Sequence, residues 1–294
     1  MLRKTPLLAV AVVLAGCGGS GTADQRKLAA PFAYDATAPF QLESKPAKLG
    51  GKGVAVRDIS FAGPAKTPLQ GYLIVPSGAG PHPAIFYAHG GGGDRTELLE
   101  EAVAMARQGA VTLALTMSYS PARPTRLPPG IDGVRANARV DLEAVRETLR
   151  SVDLLRTLPT VDKDRIAYVG WSAGARTGAI VAGVDHRIRA FDLLAGGALP
   201  MSTYIAQAPK EWQPELKPLF AKIDPLRYVG HAAPSALLFQ DGSNDDVMSR
   251  EELTTLAKQG SEPKEVRWYE TGHVPTPKTW AESRRWLAQK LGLS

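Results

Sequence analysis

Short apolar runs alternate with amphipathic stretches over most of the chain. Apolar and polar positions alternate in VAVRDISF (54–61) and LQGYLIVP (69–76), which predicts two antiparallel strands. The run AIFYAH (84–89) is apolar enough to be a short buried strand. Five further strands are predicted: at 111–116, in the run IAYV from residue 166, at 188–196, at 235–240 and at 265–270. The second of these leads into a glycine-flanked serine.

Helical spacing appears between these strands. Residues 96–108 and 136–158 are predicted as helices, the second with apolar side chains mostly three or four positions apart. Strands that alternate with helices indicate an α/β fold with a mostly parallel sheet covered on both faces. Such a sheet gathers its functional groups at the carboxyl ends of its strands. Residues 197–230 are long for a connection and are predicted to form a small cap region over that edge.

The first residues indicate export. Arg3 and Lys4 precede an apolar run, 6–15, that is too short to span a bilayer and suits a signal peptide. The run ends in Leu-Ala-Gly-Cys, and Cys17 is the only cysteine of the chain. This ending resembles the lipobox of bacterial lipoproteins, which implies cleavage before Cys17, a lipid on its thiol and anchoring at a membrane of the cell envelope. A plain secretory signal that leaves a free thiol is the alternative.

The domain division follows from this. We predict a signal peptide at 1–16, a tether at 17–50 that is rich in small and polar residues, and a folded α/β domain at 51–294. The formal net charge of +6 is spread along the chain without basic runs, which argues against a nucleic-acid partner.

Serine lies between two glycines in IAYVGWSAGART (166–177). A β-rich run leads into Gly-Trp-Ser-Ala-Gly, and a stretch that can form a helix follows. A serine at such a turn is held in a strained backbone, and the glycines leave room for the neighbouring segments. Ser172 is therefore the candidate nucleophile, although an ordinary glycine-rich turn is the plain alternative.

Four consecutive glycines, 90–93, follow His89 at the end of a predicted strand. Bare backbone N–H groups in such a loop can approach a ligand oxygen, as in the HGGG-type oxyanion loop. Gly91 is the candidate donor there, together with the amide of Ala173 after the serine. A phosphate-binding loop is a weak alternative, because neither Gly-Lys-Ser/Thr nor a dinucleotide glycine pattern is present.

A serine hydroxyl is inert at neutral pH unless a base takes its proton. His273, in YETGHVP after the last predicted strand, is the only histidine beyond an acidic turn at 241–246, so it is the candidate base. His89 is interpreted as structural and His231 as part of the cap region. The acidic turn, DGSNDD, also has oxygen ligands at calcium spacing, but Asp246 occupies the position where a calcium loop needs glycine.

From about residue 54 to the end, the chain resembles the α/β-hydrolase superfamily, and within it the dienelactone hydrolase-like and acyl-peptidase-like esterases. The motifs GWSAG, HGGGG, GSNDDV and the terminal GH carry the resemblance in the expected order. It implies an α/β-hydrolase fold and a triad of Ser172, His273 and Asp245, the acid three positions after the turn glycine. Asp246 is predicted to cap a helix that begins near Val247.

The resemblance implies hydrolysis of a small-molecule carboxylic ester through an acyl-enzyme, with no metal or organic cofactor. Two departures limit it, since dienelactone hydrolases use cysteine where this chain has Ser172, and the propeller of oligopeptidases is missing. Amide or peptide hydrolysis and acyl transfer stay open as other tasks for the same residues. A binding lipoprotein with an inactive hydrolase fold is the third hypothesis.

Overall fold

The computed structural model describes residues 23–123 and 127–293. The predicted signal peptide and Cys17 lie outside these residues. Within the two described ranges, no helix combines the length and apolar character that crossing a membrane requires.

The described strands form one nine-stranded sheet in the order β1-β2-β3-β5-β4-β6-β7-β8-β9. The pairs β1-β2, β2-β3 and β3-β5 are antiparallel, and the pairs β5-β4, β4-β6, β6-β7, β7-β8 and β8-β9 are parallel. The strands are β1 (Glu43–Pro46), β2 (Val54–Ala62), β3 (Pro68–Pro76), β4 (His82–Ala88), β5 (Val111–Leu115), β6 (Val161–Trp171), β7 (Ile188–Leu194), β8 (Ala236–Gly242) and β9 (Lys264–Tyr269). The predicted fold class, a mostly parallel α/β sheet, is confirmed.

Helices cover both faces of the sheet. The described helices are α1 (Ala23–Ala29), a 3₁₀ turn (Ala30–Phe32), α2 (Leu99–Arg107), α3 (Ile131–Thr157), α4 (Ala173–Ala182), α5 (Met201–Gln207), α6 (Gln213–Phe220), α7 (Pro225–Val229), α8 (Arg250–Gln259) and α9 (Pro277–Leu291). Side chains of α2 and α9 pack on one face, and those of α1, α3, α4, α7 and α8 pack on the other. Successive side chains of the central strands point to opposite faces, so each strand contributes to the hydrophobic cores on both sides of the sheet. In β4, Phe86 packs on one face, and Ile85 and Tyr87 pack on the other.

Part of the predicted tether belongs to the folded body, which corrects the boundary near residue 50. Leu28 and Phe32 are buried in the core, and Phe32 makes an edge contact with the ring of Tyr228 at 5.6 Å between centroids. Tyr34 donates to Asp153 on α3, and β1 adds an edge strand. Because this segment is mostly small and polar, its composition does not reveal the few apolar residues that contact parts of the chain distant in sequence.

The segment predicted as a cap region contains α5, α6 and α7. Met201 and Ile205 of α5 pack with Leu216 of α6 in a small apolar cluster of their own. Tyr228 and Val229 of α7 instead join the main core beside α4. The last helix of the segment is therefore part of the main core, while α5 and α6 contact the body through Tyr204, which donates to Glu252 of α8, and Glu215, which pairs with Arg135 of α3.

Candidate active site

Ser172 lies at the junction of β6 and α4 in a strained backbone conformation. Its φ of 54° and ψ of −112° are values that a residue with a side chain rarely adopts. A Cβ on Gly170 would lie 2.5 Å from the carbonyl carbon of Gly174, and one on Gly174 would lie 2.3 Å from the carbonyl oxygen of Ala88. Both glycines are required by close backbone approach, as the motif predicts.

Neighbouring strands hold this turn in place. The amide of Ser172 donates to the carbonyl of Leu194 at 2.8 Å, at the end of β7. The buried hydroxyl of Tyr168 donates to the carbonyl of Gly174 at 2.6 Å. These bonds compensate for the strained conformation of Ser172.

His273 connects Ser172 to Asp245. Its Nε2 lies 2.9 Å from Ser172 Oγ, and its Nδ1 lies 2.9 Å and 3.1 Å from the two carboxylate oxygens of Asp245. A proton on Nδ1 satisfies the carboxylate and leaves Nε2 to accept the serine proton. The side chain of Asp245 is 1% exposed and that of His273 is 12% exposed. The structure thus brings together all three predicted residues in a linear relay.

Backbone hydrogen bonds join the acidic turn to the loop of His273. The amide of Ser243 donates to Tyr269 at 2.8 Å, and that of Asn244 donates to Thr271 at 3.0 Å. A Cβ on Gly242 would lie 2.3 Å from the carbonyl oxygen of Gly272, so the two loops touch only because Gly242 has no side chain. This contact sets the distance between the carboxylate and the imidazole.

Asp245 and Asp246 have different surroundings. Oδ1 of Asp245 also accepts the backbone amides of Val247 and Met248, at 2.9 Å and 2.8 Å. Asp246 is exposed, and within the described residues its side chain makes no hydrogen bond.

The predicted cap role of Asp246 is wrong. Helix α8 begins at Arg250, and Ser249 caps it in a capping box with Glu252. The Ser-x-x-Glu pattern that marks this start was present in the sequence.

The glycine loop lies beside the amide that follows the serine. The amide of Gly90 donates to Glu97 at 2.6 Å, and that of Gly93 donates to the Gly90 carbonyl at 3.2 Å. In contrast, Gly91 has no acceptor within the described chain. A Cβ on Gly91 would lie 3.8 Å from the Cβ of Ala173, so the two residues that carry the candidate oxyanion donors are neighbours.

His89 shapes the base of this loop. Its Nδ1 contacts the carbonyl of Gly90 at 2.6 Å, and its Nε2 accepts the amide of Met117 at 3.0 Å. Burial lowers the pKa of His89, so the neutral ring with a proton on Nδ1 fits both contacts. This geometry agrees with the structural interpretation of His89.

Two residues that the sequence interpretation missed support the site. Trp171 donates from its indole nitrogen to the His273 carbonyl at 3.1 Å, and the two rings lie 5.8 Å apart between centroids. Glu97 orders the glycine loop through Gly90, and burial raises the pKa of its carboxyl. The position of Trp171 inside the serine motif was a usable signal, whereas nothing local marks Glu97.

The possible calcium ligands of the acidic turn do not converge. Asp245 faces His273, and Glu252 accepts hydrogen bonds from Ser249 and Tyr204. Asp241 is buried at the end of β8, and its Oδ2 has no hydrogen-bond partner. Across residues 23–123 and 127–293, no group of three His, Cys, Asp or Glu side chains could hold a metal ion.

No protein-family model matches the chain, and no curated protein matches it in sequence. Many solved structures are similar in fold. An acetyl xylan esterase from Paenibacillus sp. R4 superposes with a TM-score of 0.73 at 20% identity, covering 92% of this chain and 95% of that chain. Acetyl xylan esterase 1 from Thermoanaerobacterium sp. JW/SL YS485 gives a TM-score of 0.69 at 16% identity, covering 91% and 94%.

A peptidase is also similar in fold. The puromycin-hydrolyzing peptidase of Mycobacterium tuberculosis gives a TM-score of 0.64 at 19% identity, covering 84% of this chain and 41% of that one. At these identities the similarities concern the fold alone, and one fold supports several chemistries.

Proposed function

From the α/β-hydrolase fold, which the sheet order and the solved structures of similar fold show, we propose that the protein is a serine hydrolase of carboxylic esters. One observation carries the proposal. Ser172 Oγ lies 2.9 Å from Nε2 of His273, whose Nδ1 lies 2.9 Å from the buried carboxylate of Asp245. A serine hydroxyl in this relay has a proton acceptor and becomes a nucleophile at neutral pH.

The proposed reaction has two steps. Ser172 attacks the ester carbonyl while His273 takes its proton, and the protonated His273 then donates that proton to the leaving alcohol. Water attacks the resulting acyl-enzyme with His273 again as base, which releases the acid and restores Ser172. Asp245 keeps the imidazole oriented and balances its positive charge.

The amides of Ala173 and Gly91 are proposed to hold the developing oxyanion. Ala173 follows the serine and is the first residue of α4, whose amino end favours negative charge, and Gly91 lies next to Ala173. A donor of this kind contributes about 3 kcal/mol to the transition state. The glycine loop and the helix therefore have complementary roles in the proposal.

Ester hydrolysis is favoured over amide hydrolysis by the two acetyl xylan esterases among the proteins of similar fold, and the peptidase keeps amide hydrolysis as the alternative. The matched pair p-nitrophenyl acetate and p-nitroacetanilide tests the choice on the full-length protein. We expect turnover of the ester and little of the amide, with both lost in Ser172→Ala. Faster amide turnover would assign an amidase, and no turnover of either would favour an inactive binding protein.

We also propose that the chain is exported and anchored to a membrane of the bacterial envelope through a lipid on Cys17. The apolar run and the Leu-Ala-Gly-Cys ending support this proposal. Two or three acyl chains give stable anchoring, which one chain does not. Mass spectrometry of the membrane-extracted protein should show a mature chain that begins at acylated Cys17, whereas a free thiol on a secreted protein would refute the anchor.

A further inference from the structure

A cavity of about 580 Å³ lies beside the serine relay. One wall is the first turn of α4, where the amide of Arg176 donates to the carbonyl of Ser172. Another is the turn after Asp245, where Val247 and Met248 donate to the Asp245 carboxylate. The cap helices and the start of α3 complete it. Its apolar lining includes Val134, Met201, Phe220, Ile223, Val247 and Met248.

Arg176 is the unpaired cation of this cavity. Its Nε is buried without a hydrogen-bond partner, and the guanidinium makes no ion pair within the described ranges. A buried donor without an acceptor is costly, more so when it is charged. An arginine in this state, one helical turn from the proposed nucleophile, lacks an acceptor oxygen that a ligand can supply.

Two acidic side chains line the cavity, and only one of them accepts hydrogen bonds from the described part of the protein. Glu252 accepts from the amide and the hydroxyl of Ser249 and from Tyr204. Burial opposes its ionisation, but these bonds and the charge of Arg176 lower the pKa of Glu252. Asp141 makes no hydrogen bond within the described chain, and burial raises the pKa of its carboxyl against the opposing charge of Arg176. The cavity thus presents an open donor and an open acceptor.

The charges select among possible occupants. A plain alkyl chain would leave Arg176 and Asp141 desolvated and unpaired. A carboxylate would satisfy Arg176, but it would face the charges of both Asp141 and Glu252. A neutral group with neighbouring hydroxyls accepts from Arg176 and donates to Asp141, and its C–H surface can lie against the apolar lining.

We propose that this cavity binds a hydroxyl-rich, uncharged part of the substrate, such as a sugar or polyol, and that Arg176 and Asp141 select it. The proposal rests on the proposed ester hydrolysis, and it places a group attached to the reacting ester in this cavity, whose walls include Arg176 and Met248, hydrogen-bonded through their amides to Ser172 and Asp245. It adds the class of substrate that the relay alone does not define.

The test compares two acetate esters of similar shape, 6-O-acetylglucose and cyclohexylmethyl acetate, with the full-length protein. Both carry the acetyl group on a CH₂ attached to a six-membered ring, and they differ mainly in the hydroxyls. We expect kcat/KM to favour the sugar ester by at least about tenfold, since a site built for hydroxyls discriminates against analogues without them. Equal rates or a preference for the cyclohexyl ester would overturn the proposal.

The variants Arg176→Met and Asp141→Asn should each reduce that preference by about tenfold, mainly through KM for the sugar ester. Arg227→Met is the control, because Arg227 is an exposed arginine of α7 outside the cavity lining and the preference should be unchanged. If both cavity variants keep the wild-type preference, or if the control loses it equally, Arg176 and Asp141 are not the selecting residues.

A binding experiment tests this inference independently of the proposed ester hydrolysis. Saturation-transfer NMR with methyl glucoside and the folded Ser172→Ala protein should show contact that Arg176→Met abolishes in the same background. This result supports the cavity even if neither ester is hydrolysed, in which case the proposed ester hydrolysis alone fails. Absence of contact, or stronger contact with cyclohexanecarboxylate, would overturn the hydroxyl assignment.

Discussion

Asp245 and Asp246 are adjacent in sequence and have different surroundings. The first is buried and accepts from His273 and two backbone amides, while the second is exposed beside the loop of Gly272. A carboxylate orients His273 only where it can reach Nδ1, and Asp245 alone does so.

The two aspartates should therefore respond differently to the same change. Asp245→Asn is expected to lower kcat about 10³- to 10⁴-fold, because the amide favours the wrong imidazole tautomer. Asp246→Asn should keep kcat near that of the wild type, since its side chain orients nothing. Turnover of p-nitrophenyl acetate measures both, and a large loss in Asp246→Asn would show that the acid is assigned to the wrong residue.

Asp241 makes stability depend on pH. Burial, followed by the charge of Asp245, raises the pKa of Asp241 from 3.8 to about 7. Between these values the unfolded chain holds fewer protons than the folded one, so this group lowers the free energy of unfolding as pH rises from about 4 to 7. At higher pH the folded protein carries a buried, partly unpaired charge.

Asp241→Asn tests this dependence, because the amide is close in shape to the protonated acid and cannot ionise. The variant should be more stable than the wild type at pH 8 and similar to it at pH 4.5. Urea unfolding at the two pH values measures the difference. A variant that is less stable by the same amount at both values would show that Asp241 acts through packing alone.

At the scale of elements, the turn between β6 and α4 depends on Gly174. A Cβ there would overlap the backbone of Ala88 and approach that of His89. Gly174→Ala should therefore lower the free energy of unfolding by at least about 1–3 kcal/mol and reduce turnover, because the clash is with backbone that cannot rotate away.

Gly92→Ala is the matched control, since a Cβ on Gly92 would meet no atom within 4 Å. Urea unfolding and ester turnover of both variants separate a steric requirement from a general preference for glycine. If Gly174→Ala behaves as Gly92→Ala does, the elbow tolerates a side chain and the tight packing is not essential.

Short sequence patterns predict the elements that build the site. Features that depend on contacts formed only in the folded protein are not predicted. The serine turn, the glycine loop and the acidic turn each carry their geometry in a few adjacent residues. Helix α2 begins at Leu99 and not at the predicted residue 96, because Asp94 accepts hydrogen bonds from the amide and hydroxyl of Thr96 and holds that residue in a turn. The support that Glu97 gives to Gly90 arises only after folding, since no short motif records it.

For the whole molecule, the segment before β2 is part of the fold, which its composition did not indicate. Arg150 of α3 is buried, donates to the carbonyl of Ala36 and lies over the ring of Phe40. Contacts of this kind join residues more than a hundred positions apart, so composition and periodicity do not reveal them. The folded body accordingly includes residues 23–50.

Phe32→Ala should lower the free energy of unfolding by about 3–5 kcal/mol, the usual cost of removing a buried aromatic ring. Leu42→Ala is the control on the same segment, because Leu42 is 41% exposed and should change stability little. Urea denaturation of both variants measures this. Equal, small effects would show that the segment is a loose tether after all.

The central claim is that Ser172 is a nucleophile activated by His273. Incubation of the full-length protein with a fluorophosphonate, followed by peptide mass spectrometry, tests it most directly. We expect one phosphonate on Ser172, no labelling of Ser172→Ala, and much slower labelling of His273→Ala. Labelling at another residue, or equal labelling of Ser172→Ala, would contradict the account.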